Sequence, residues 1–518
     1  MNRREFVSGA VAATALASGT ARAQAPQPQA QTPPPPPPDI HADGTPFSTD
    51  ALLETARSLA GRGYEAPKGF LPNGFAELPQ DVFRSIRMKP ERAVWNGENR
   101  GFALDVLPGG FIYRSPVRIA QVEDGRVKML PESQDWFDFG RAPKPPADRP
   151  FPLSGFTGRT ALDRPDELRD FLTFQGATIF RAIARGQIFG ASARGLALDV
   201  GEANGEEFPL FRTFWIERPN AGANAIVVHA LLDSRRVAGA YRFTVRPGEI
   251  TVVDVELTLF AREPLRHVGV GPMTSMFLFG PNDRVGVDDV RGQVHRADGL
   301  QMWTGNDEWV WRPLSNPSDL QISVFGDVNP KGFGLLQRQR GFQPYNDLGR
   351  RYDRMPSVWI QPIGDWGEGQ FQLLEIPTDT DINENVVAYW RPKRAIEPGQ
   401  PFSMAYRMHW CWSPPDRAGG ASVVSTSSGS AGDRRRRFVV DFAGDAVADP
   451  ARAASIRPNV STSAGGIRDV VGLANPELKG YRVAFTLDPA NEDLCELRLV
   501  LESDAGRIGE TWLYRWTE

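Results

Sequence analysis

Tryptophans and carboxylates are concentrated between residues 303 and 412 of this sequence. Eight of the 13 tryptophans belong to this stretch: Trp303, Trp309, Trp311, Trp359, Trp366, Trp390, Trp410 and Trp412. Charged neighbours accompany them: Asp307, Glu308, Arg312, Asp353, Asp365, Glu368, Glu375, Asp379, Asp381 and Glu384. Indole rings can stack on the C–H face of a sugar, and acids and arginines can bond its hydroxyls. The composition predicts a saccharide cleft; the alternative is an aromatic core with surface acids.

Residues for other common chemistries are missing or dispersed. No H-x-H, HExxH or Cys/His cluster occurs among the five histidines, which are His41, His229, His267, His295 and His409. The sequence also has no G-x-S-x-G elbow, no Walker loop and no G-x-G-x-x-G motif after a strand. We therefore expect no metal and no cofactor, and carboxylate acid–base chemistry remains.

The charge balance restricts the partners of this chain. Its 59 basic and 63 acidic residues give a net charge of −4, so no basic excess is available to neutralise a phosphate backbone. Beyond residue 24, no apolar run approaches the roughly 18 residues that span a bilayer. We expect neither nucleic-acid binding nor a membrane span.

The N-terminus resembles an export signal. Arg3 and Arg4 precede a mildly apolar stretch, and Ala21-Arg22-Ala23 supplies a small-x-small cleavage pattern. The paired arginines are typical of the twin-arginine route, so residues 1–23 are predicted to be a signal peptide and the mature protein periplasmic. A short amphipathic helix is the alternative. Residues 24–44 are predicted to be a linker, since they contain six consecutive prolines and suit an extended polyproline conformation.

In the remaining sequence, turn residues separate many short apolar segments, which is typical of a β-protein. Apolar spacing over Leu52–Ala60 predicts one helix capped by Asp50, and a second helix is expected at about 165–174. Asp124-Gly125 predicts a tight hairpin, and residues 241–259 alternate as two strands around a Pro-Gly turn. The density of short strands indicates a large antiparallel β-sandwich.

A domain boundary is expected in the charged, Pro/Gly-bearing segment 391–402. It gives a large β-sandwich over 45–392 and a smaller one over 400–518, the size of one immunoglobulin-like sandwich. Strands are predicted at 403–412, 438–442, 481–486 and 494–501, with a loop at 423–437. Cys411 and Cys495 would both fall in the smaller domain, either as a disulfide or as two buried thiols.

Several long segments resemble one known family. They are PMTSMFLFGPN (272–282), GNDEWVWRPLSNP (305–317), GFGLLQRQR (332–340), YDRMPSVWIQPIGDWGEG (352–369), LLEIPTDTDINENVVAYW (373–390) and GETWLYR (509–515). They are similar to periplasmic glucan biosynthesis proteins of the OpgD/OpgG (MdoD/MdoG) family, over roughly residues 45–518. The resemblance implies a mainly β fold: a large N-terminal antiparallel sandwich of the galactose mutarotase-like kind and a C-terminal immunoglobulin-like sandwich.

The resemblance also implies a reaction and residues for it. Family members act on the β-1,2-linked glucan backbone, by inverting hydrolysis or by transglycosylation. The family's general acid is an aspartate whose position is occupied here by Glu384, and an upstream family glutamate corresponds to Asp381. Tyr352 matches a tyrosine of the family's proton relay. Replacing Asp with Glu keeps a carboxylic acid but moves its proton by about one methylene. A displacement of about 1 Å can lower the rate of proton transfer.

The position of the family's general base departs further. The family pattern H-D-x-x-G-L reads His295-Arg296-Ala297-Asp298-Gly299-Leu300 here, so Arg296 replaces the base. An inverting hydrolase needs a base to activate water. Three outcomes remain open: a relay altered to pass through Asp298, a transglycosylase, or a binding protein with little turnover.

These inferences lead to two functional hypotheses. The first is an enzyme in which Glu384, Asp298, Tyr352 and Asp381 carry catalysis of β-1,2-glucan cleavage or rearrangement. The second is a non-catalytic glucan-binding or scaffold partner of a membrane glucan synthase, and a homodimer is left open. In both, the residues expected to contact the glucan are Trp303, Trp309, Trp311, Arg312, Trp359, Asp365, Trp366, Trp390 and Arg296.

Overall fold

The computed structural model describes residues 39–68, 71–504 and 506–518, and β-strand is their main regular structure. The expected signal peptide and the linker up to residue 38 lie outside the described residues. Three short α-helices occur in the described part: α1 (Thr49–Ala60), α2 (Gln80–Phe83) and α3 (Phe342–Tyr345). The cap of α1 is Ser48 rather than Asp50, because the Ser48 hydroxyl accepts the N–H of Ala51.

The strands of the first half precede residue 280. They are β1 (Arg87–Met88), β2 (Phe102–Pro108), β3 (Arg118–Glu123), β4 (Arg126–Met129), β5 (Phe137–Asp138), β6 (Leu153–Arg164), β7 (Glu167–Gln175), β8 (Ile179–Ala182), β9 (Ser192–Arg194), β10 (Ala197–Leu198), β11 (Leu210–Glu217), β12 (Ile226–Asp233), β13 (Val237–Arg246), β14 (Thr251–Ala261), β15 (Val268–Ser275) and β16 (Phe277–Phe279).

The strands of the second half follow in the same manner. They are β17 (Val294–His295), β18 (Gly299–Trp303), β19 (Trp309–Pro313), β20 (Gln321–Val328), β21 (Gly332–Leu336), β22 (Ser357–Ile363), β23 (Glu368–Glu375), β24 (Val386–Pro392), β25 (Pro401–Cys411), β26 (Ser422–Ser430), β27 (Arg436–Ala443), β28 (Arg457–Thr462), β29 (Gly466–Asn475), β30 (Gly480–Asp488), β31 (Leu494–Ser503), β32 (Gly506–Arg507) and β33 (Thr511–Thr517).

Two large sheets form the main sandwich. The ten-stranded sheet runs β2-β6-β7-β8-β9-β15-β24-β23-β20, with β10 beside β15, and the fifteen-stranded sheet contains β11 to β14, β25 and the strands joined to them. Aromatic residues fill the space between the sheets: the rings of Phe156 and Phe174 pack edge-on against Phe214 and Phe243. Helix α1 covers the other face of the fifteen-stranded sheet, where Leu52 is buried. The predicted large antiparallel β-sandwich is confirmed.

A smaller sandwich follows residue 421. Its four-stranded sheet, β26-β27-β30-β29, packs on β28, β31 and β33 through Phe438, Phe485 and Trp512. Strand β33 also pairs in parallel with β19, so one sheet runs through both sandwiches. The immunoglobulin-like topology of this unit stays a prediction.

Three local expectations need correction. Residues 167–175 are strand β7, hairpin-paired with β6, because tertiary pairing overrides the apparent helical spacing. The strand at Pro401–Cys411 pairs with β14 and β22, so it belongs to the large sheet rather than to the smaller sandwich. Most of the expected loop at 423–437 is the hairpin of β26 and β27. The hairpin at Asp124-Gly125 forms as predicted, with both residues at positive φ.

Candidate functional site

The strand order of the ten-stranded sheet gathers three polar residues around Glu384, and Arg296, from the loop after β17, is the fourth. Glu384 ends the loop between β23 and β24, and the next strands are β15, β9 and β8. Thr274 of β15 lies opposite Ser192 of β9, and Arg181 comes from β8. Their side chains share the outer face of the sheet, because Met273 and Ala193 beside them point into the core. We call Glu384, Arg181, Ser192, Thr274 and Arg296 the Glu384 site.

The Glu384 carboxylate accepts hydrogen bonds from all four partners. The Arg181 guanidinium donates to Oε1 at 2.9 Å, and the Ser192 hydroxyl donates to the same oxygen at 2.5 Å. The Thr274 hydroxyl donates to Oε2 at 2.6 Å, and Arg296 Nη1 lies 3.3 Å from Oε1. Burial alone would raise the pKa of Glu384, but Arg181, the two hydroxyls and Arg296 together hold this pKa below its ordinary value. Glu384 is therefore a carboxylate at neutral pH.

Arg296 lies against Glu384 with long bonds. Its Nη1 is 3.5 Å from the Gly190 carbonyl and its Nη2 is 3.4 Å from the Asp381 carbonyl, while its buried Nε has no partner. Burial lowers the pKa of Arg296, and Glu384 opposes that effect. A guanidinium keeps its proton in such surroundings, so a permanent cation faces Glu384.

Asp381 and Tyr352 form a second polar group beside the Glu384 site. The Tyr352 hydroxyl donates to Asp381 Oδ2 at 2.7 Å, and Arg291 Nη1 lies 3.2 Å from the same oxygen. Burial would raise the pKa of Asp381, but the bonds from Tyr352 and Arg291 and the charge of Arg350 lower it. Burial and the bond to Asp381 raise the pKa of Tyr352. The structure therefore brings Glu384, Asp381, Tyr352 and Arg296 together, and their catalytic roles stay a prediction.

Asp298 does not join this group. Its carboxylate accepts the backbone N–H groups of Arg338 and Gln339 at 3.1–3.2 Å. Among the described residues, it shares no hydrogen bond or ion pair with Glu384, Asp381 or Tyr352. In this arrangement Asp298 holds the backbone after β21. These contacts do not support a proton relay through Asp298.

Most of the expected sugar-contacting side chains are buried in the core. Trp311, Trp359, Trp366 and Trp390 are between 0 and 5% exposed. Trp366 donates its indole N–H to the Ala405 carbonyl and packs against Trp390. A ring enclosed on both faces cannot stack on a sugar, so these four expectations are wrong for the described conformation.

Arg312 is also wrongly assigned to the glucan. Its guanidinium lies 3.0 Å from Glu375, and the two side chains are 1% and 0% exposed. The pair holds Ser315 as well, because Glu375 accepts the Ser315 N–H at 2.6 Å. Arg312 near the end of β19 and Glu375 at the end of β23 therefore bind each other, and we call this pair the junction below β19. Arg312 does not reach a ligand.

Three expected contact residues remain accessible. Trp303 and Trp309 are partly exposed and stack on one another with centroids 4.7 Å apart. Asp365 is exposed and accepts the N–H of Gly367 within its own turn. None of these three shares a hydrogen bond, an ion pair or a ring contact with the Glu384 site in the described part of the chain, so their role stays a prediction.

Sequence reasoning missed Arg181, Ser192, Thr274 and Arg291. Thr274 lies in one of the family-like segments, but Arg181 and Ser192 lie outside them, over 190 residues before Glu384 in the chain. Only the strand order brings them together. No group of three His, Cys, Asp or Glu residues in the described ranges is arranged to hold a metal ion. No helix described here is long and apolar enough to cross a membrane.

Comparisons with known proteins show the family of this chain. The family model for "Periplasmic glucan biosynthesis protein, MdoG" matches residues 47–516. A glucans biosynthesis protein G from Rhodopseudomonas palustris is 46% identical over 462 residues, 89% of this chain and 92% of that protein. One from Bradyrhizobium diazoefficiens is 41% identical over 519 residues, the whole of both chains. The chain belongs to the periplasmic glucan biosynthesis protein (MdoG) family.

The chain also resembles solved structures, one of which is described here. It is a galactose mutarotase related enzyme from Lactobacillus acidophilus, with 11% identity and a TM-score of 0.21, over 50% of this chain and 91% of that one. This likeness carries no argument about the present chain.

Proposed function

We propose that this protein binds the β-1,2-linked glucan backbone in the periplasm and turns it over little, as a binding partner in glucan synthesis. The observation that carries the proposal is the Glu384 carboxylate, which two guanidiniums and two hydroxyls hold in its ionised form. The expected export signal around Arg3 and Arg4 supports a periplasmic location, as does the membership of this chain in the periplasmic glucan biosynthesis protein family. A membrane glucan synthase is the partner that would deliver the glucan to this protein or receive it.

Hydrolysis requires two groups that this site lacks in the needed form. A general acid must carry a proton to give to the departing oxygen, and the lowered pKa of Glu384 leaves it without one at neutral pH. A base must activate water, and Arg296, which occupies the expected base position, cannot accept a proton. Each group is worth about 10²–10⁴-fold in rate, so losing both favours binding over cleavage.

The same side chains suit sugar hydroxyls. Arg181 is 35% exposed and offers donors, whereas the Glu384 and Asp381 side chains, 16% and 18% exposed, offer acceptors. Alternating donors and acceptors of this kind fix the orientation of a polyhydroxylated ligand.

Two measurements on one sample test this proposal. Calorimetry with linear β-1,2-glucan should give saturable binding, while a reducing-end assay under the same conditions should detect little release. Glu384→Gln should weaken the binding about tenfold through lost charge-assisted bonds. Glu207→Gln is the matched control, because Glu207 is also bonded by a guanidinium, that of Arg236, and lies outside the expected glucan contacts, so this variant should bind like the wild type. Reducing-end release that Glu384→Gln abolishes would overturn the proposal in favour of a hydrolase.

A transglycosylase is the second candidate function. The hydrogen bond of 2.7 Å between Tyr352 and Asp381 favours it, since a phenol bonded to a carboxylate beside Glu384 can pass a proton. In transglycosylation a sugar hydroxyl replaces water as acceptor, so the number of reducing ends is unchanged or falls. Mass spectrometry of the glucan after incubation distinguishes this case: redistributed or cyclic chains support it, and an unchanged length distribution rejects it.

A further inference from the structure

We propose that Arg291 is the positioning residue of this site: it ties three loops together and so sets where Asp381 and Glu384 stand. The inference rests on the proposed function in that the site positioned is the glucan-binding one. Arg291 lies in the loop between β16 and β17, outside the residues that the family resemblance assigns.

One guanidinium bonds acids from three separate segments. Nε and Nη2 of Arg291 bond the Asp289 carboxylate of its own loop at 2.7–3.2 Å. Nη1 lies 3.1 Å from Asp347, in the loop after α3, and 3.2 Å from Asp381, in the loop before Glu384. The Arg291 side chain is 20% exposed, so these ion pairs are partly shielded from solvent.

Apolar packing does not hold the loops at this point. The residues next to the three bonded positions are Val290, Leu348 and Ile382, and they are 92%, 79% and 67% exposed. A loop whose aliphatic side chains lie in solvent gains little from the hydrophobic effect. The relative position of the three loops at this point therefore depends on polar bonds. Arg291 bonds all three loops, whereas the Arg350–Asp381 pair, at 3.7 Å, links two of them.

The geometry requires arginine. The planar guanidinium presents five N–H donors in a fixed fork, which can reach three carboxylates at once, whereas a lysine ammonium is a point charge on a flexible stem. With the loop held in this way, Asp381 accepts its hydrogen bond from Tyr352. Glu384, three residues further along the same loop, then lies within hydrogen-bond distance of Arg181. Losing the fork should release the loop that carries both acids.

The test compares Arg291→Lys with a matched arginine elsewhere. Arg236 also bonds several acids, Asp199, Glu207 and Glu263, in other loops. Hydrogen exchange, thermal unfolding and calorimetry with linear β-1,2-glucan are measured on wild type, Arg291→Lys and Arg236→Lys.

Arg291→Lys should speed exchange at 346–351 and 378–384 and weaken glucan binding about tenfold. Arg236→Lys should change neither, even if it lowers the unfolding temperature as much. Asp347→Asn, which removes a single loop partner, should speed exchange at 346–351 alone.

Unchanged exchange in those loops for Arg291→Lys would overturn the inference, as would unchanged glucan affinity in a wild type that binds. If the wild type binds no glucan, the proposed function fails by itself, and the exchange rates alone decide the positioning role. An equal response of Arg236→Lys at 346–351 and 378–384 would reduce Arg291 to a general stabiliser and also overturn it.

Discussion

Arginine–glutamate pairs occur both at the Glu384 site and at the junction below β19, with different surroundings. At the junction, the Arg312 and Glu375 side chains are 1% and 0% exposed, and each neutralises the charge of the other. At the Glu384 site, Arg181 and Arg296 share one carboxylate, and Arg181 is 35% exposed. An enclosed ion pair can act only on the fold, because no ligand reaches it. At the accessible Glu384 site, two guanidiniums share one carboxylate, so N–H donors remain for a ligand. Burial, not residue type, separates the two roles.

The largest expected effect is on the junction pair. Arg312→Ala should leave the Glu375 charge buried without a partner and reduce the free energy of unfolding by about 3–5 kcal/mol. Urea unfolding followed by fluorescence measures the loss. Arg181→Ala at the Glu384 site should cost much less, because water can reach the remaining carboxylate. Equal losses in the two variants would abolish the comparison.

The buried tryptophans should respond like the junction. Trp366→Ala removes a ring that is 5% exposed and should cost about 3–5 kcal/mol of stability. Trp303→Ala, in the partly exposed stack with Trp309, should cost clearly less. Thermal unfolding compares them, and glucan affinity per folded molecule should be unchanged in Trp366→Ala. A stable Trp366→Ala protein with weakened binding would show that this ring is accessible after all.

Arg296→Asp sharpens the account of the site itself. It replaces the cation 3.3 Å from Glu384 with a carboxylate, which raises the pKa of Glu384 and supplies a base at the family's position. Reducing-end release from linear β-1,2-glucan should rise, by about 10²-fold if the base is well placed, or roughly 2.7 kcal/mol at the barrier. Asp298→Asn added to Arg296→Asp should leave this raised release unchanged, since the Asp298 carboxylate accepts the backbone N–H groups of Arg338 and Gln339. Loss of the raised release in the double variant would restore the relay through Asp298.

The smallest expected effect is a pH dependence of stability. Since the folded pKa of Glu384 lies below its ordinary value of 4.5, its contribution is complete above that value. The contribution is lost as the pH falls from 4.5 through the lowered folded pKa, where the unfolded chain takes up the proton first. Unfolding temperatures measured across this range should fall less steeply in Glu384→Gln than in the wild type. Parallel curves would mean that Glu384 is not held ionised.

Much of the sheet architecture followed from local patterns. The alternation of residues 241–259 predicted β13 and β14, which pair as a hairpin. The same reasoning failed at 165–174, where the pairing of β7 with β6 decides the conformation. Local spacing alone therefore does not distinguish a strand from a helix in a short segment.

The β class and the family-like segments could be read from the sequence, and the family resemblance singled out Glu384, Asp381, Tyr352 and Arg296. Tertiary structure decided which charged and aromatic residues are accessible. Trp366 and Arg312 looked like ligand contacts by type, but the two packed sheets and the junction enclose them. Conversely, Arg181 and Ser192 reach Glu384 only because β8, β9, β15 and β24 are adjacent in the sheet. Burial and strand order depend on contacts between distant segments, and no local pattern contains them.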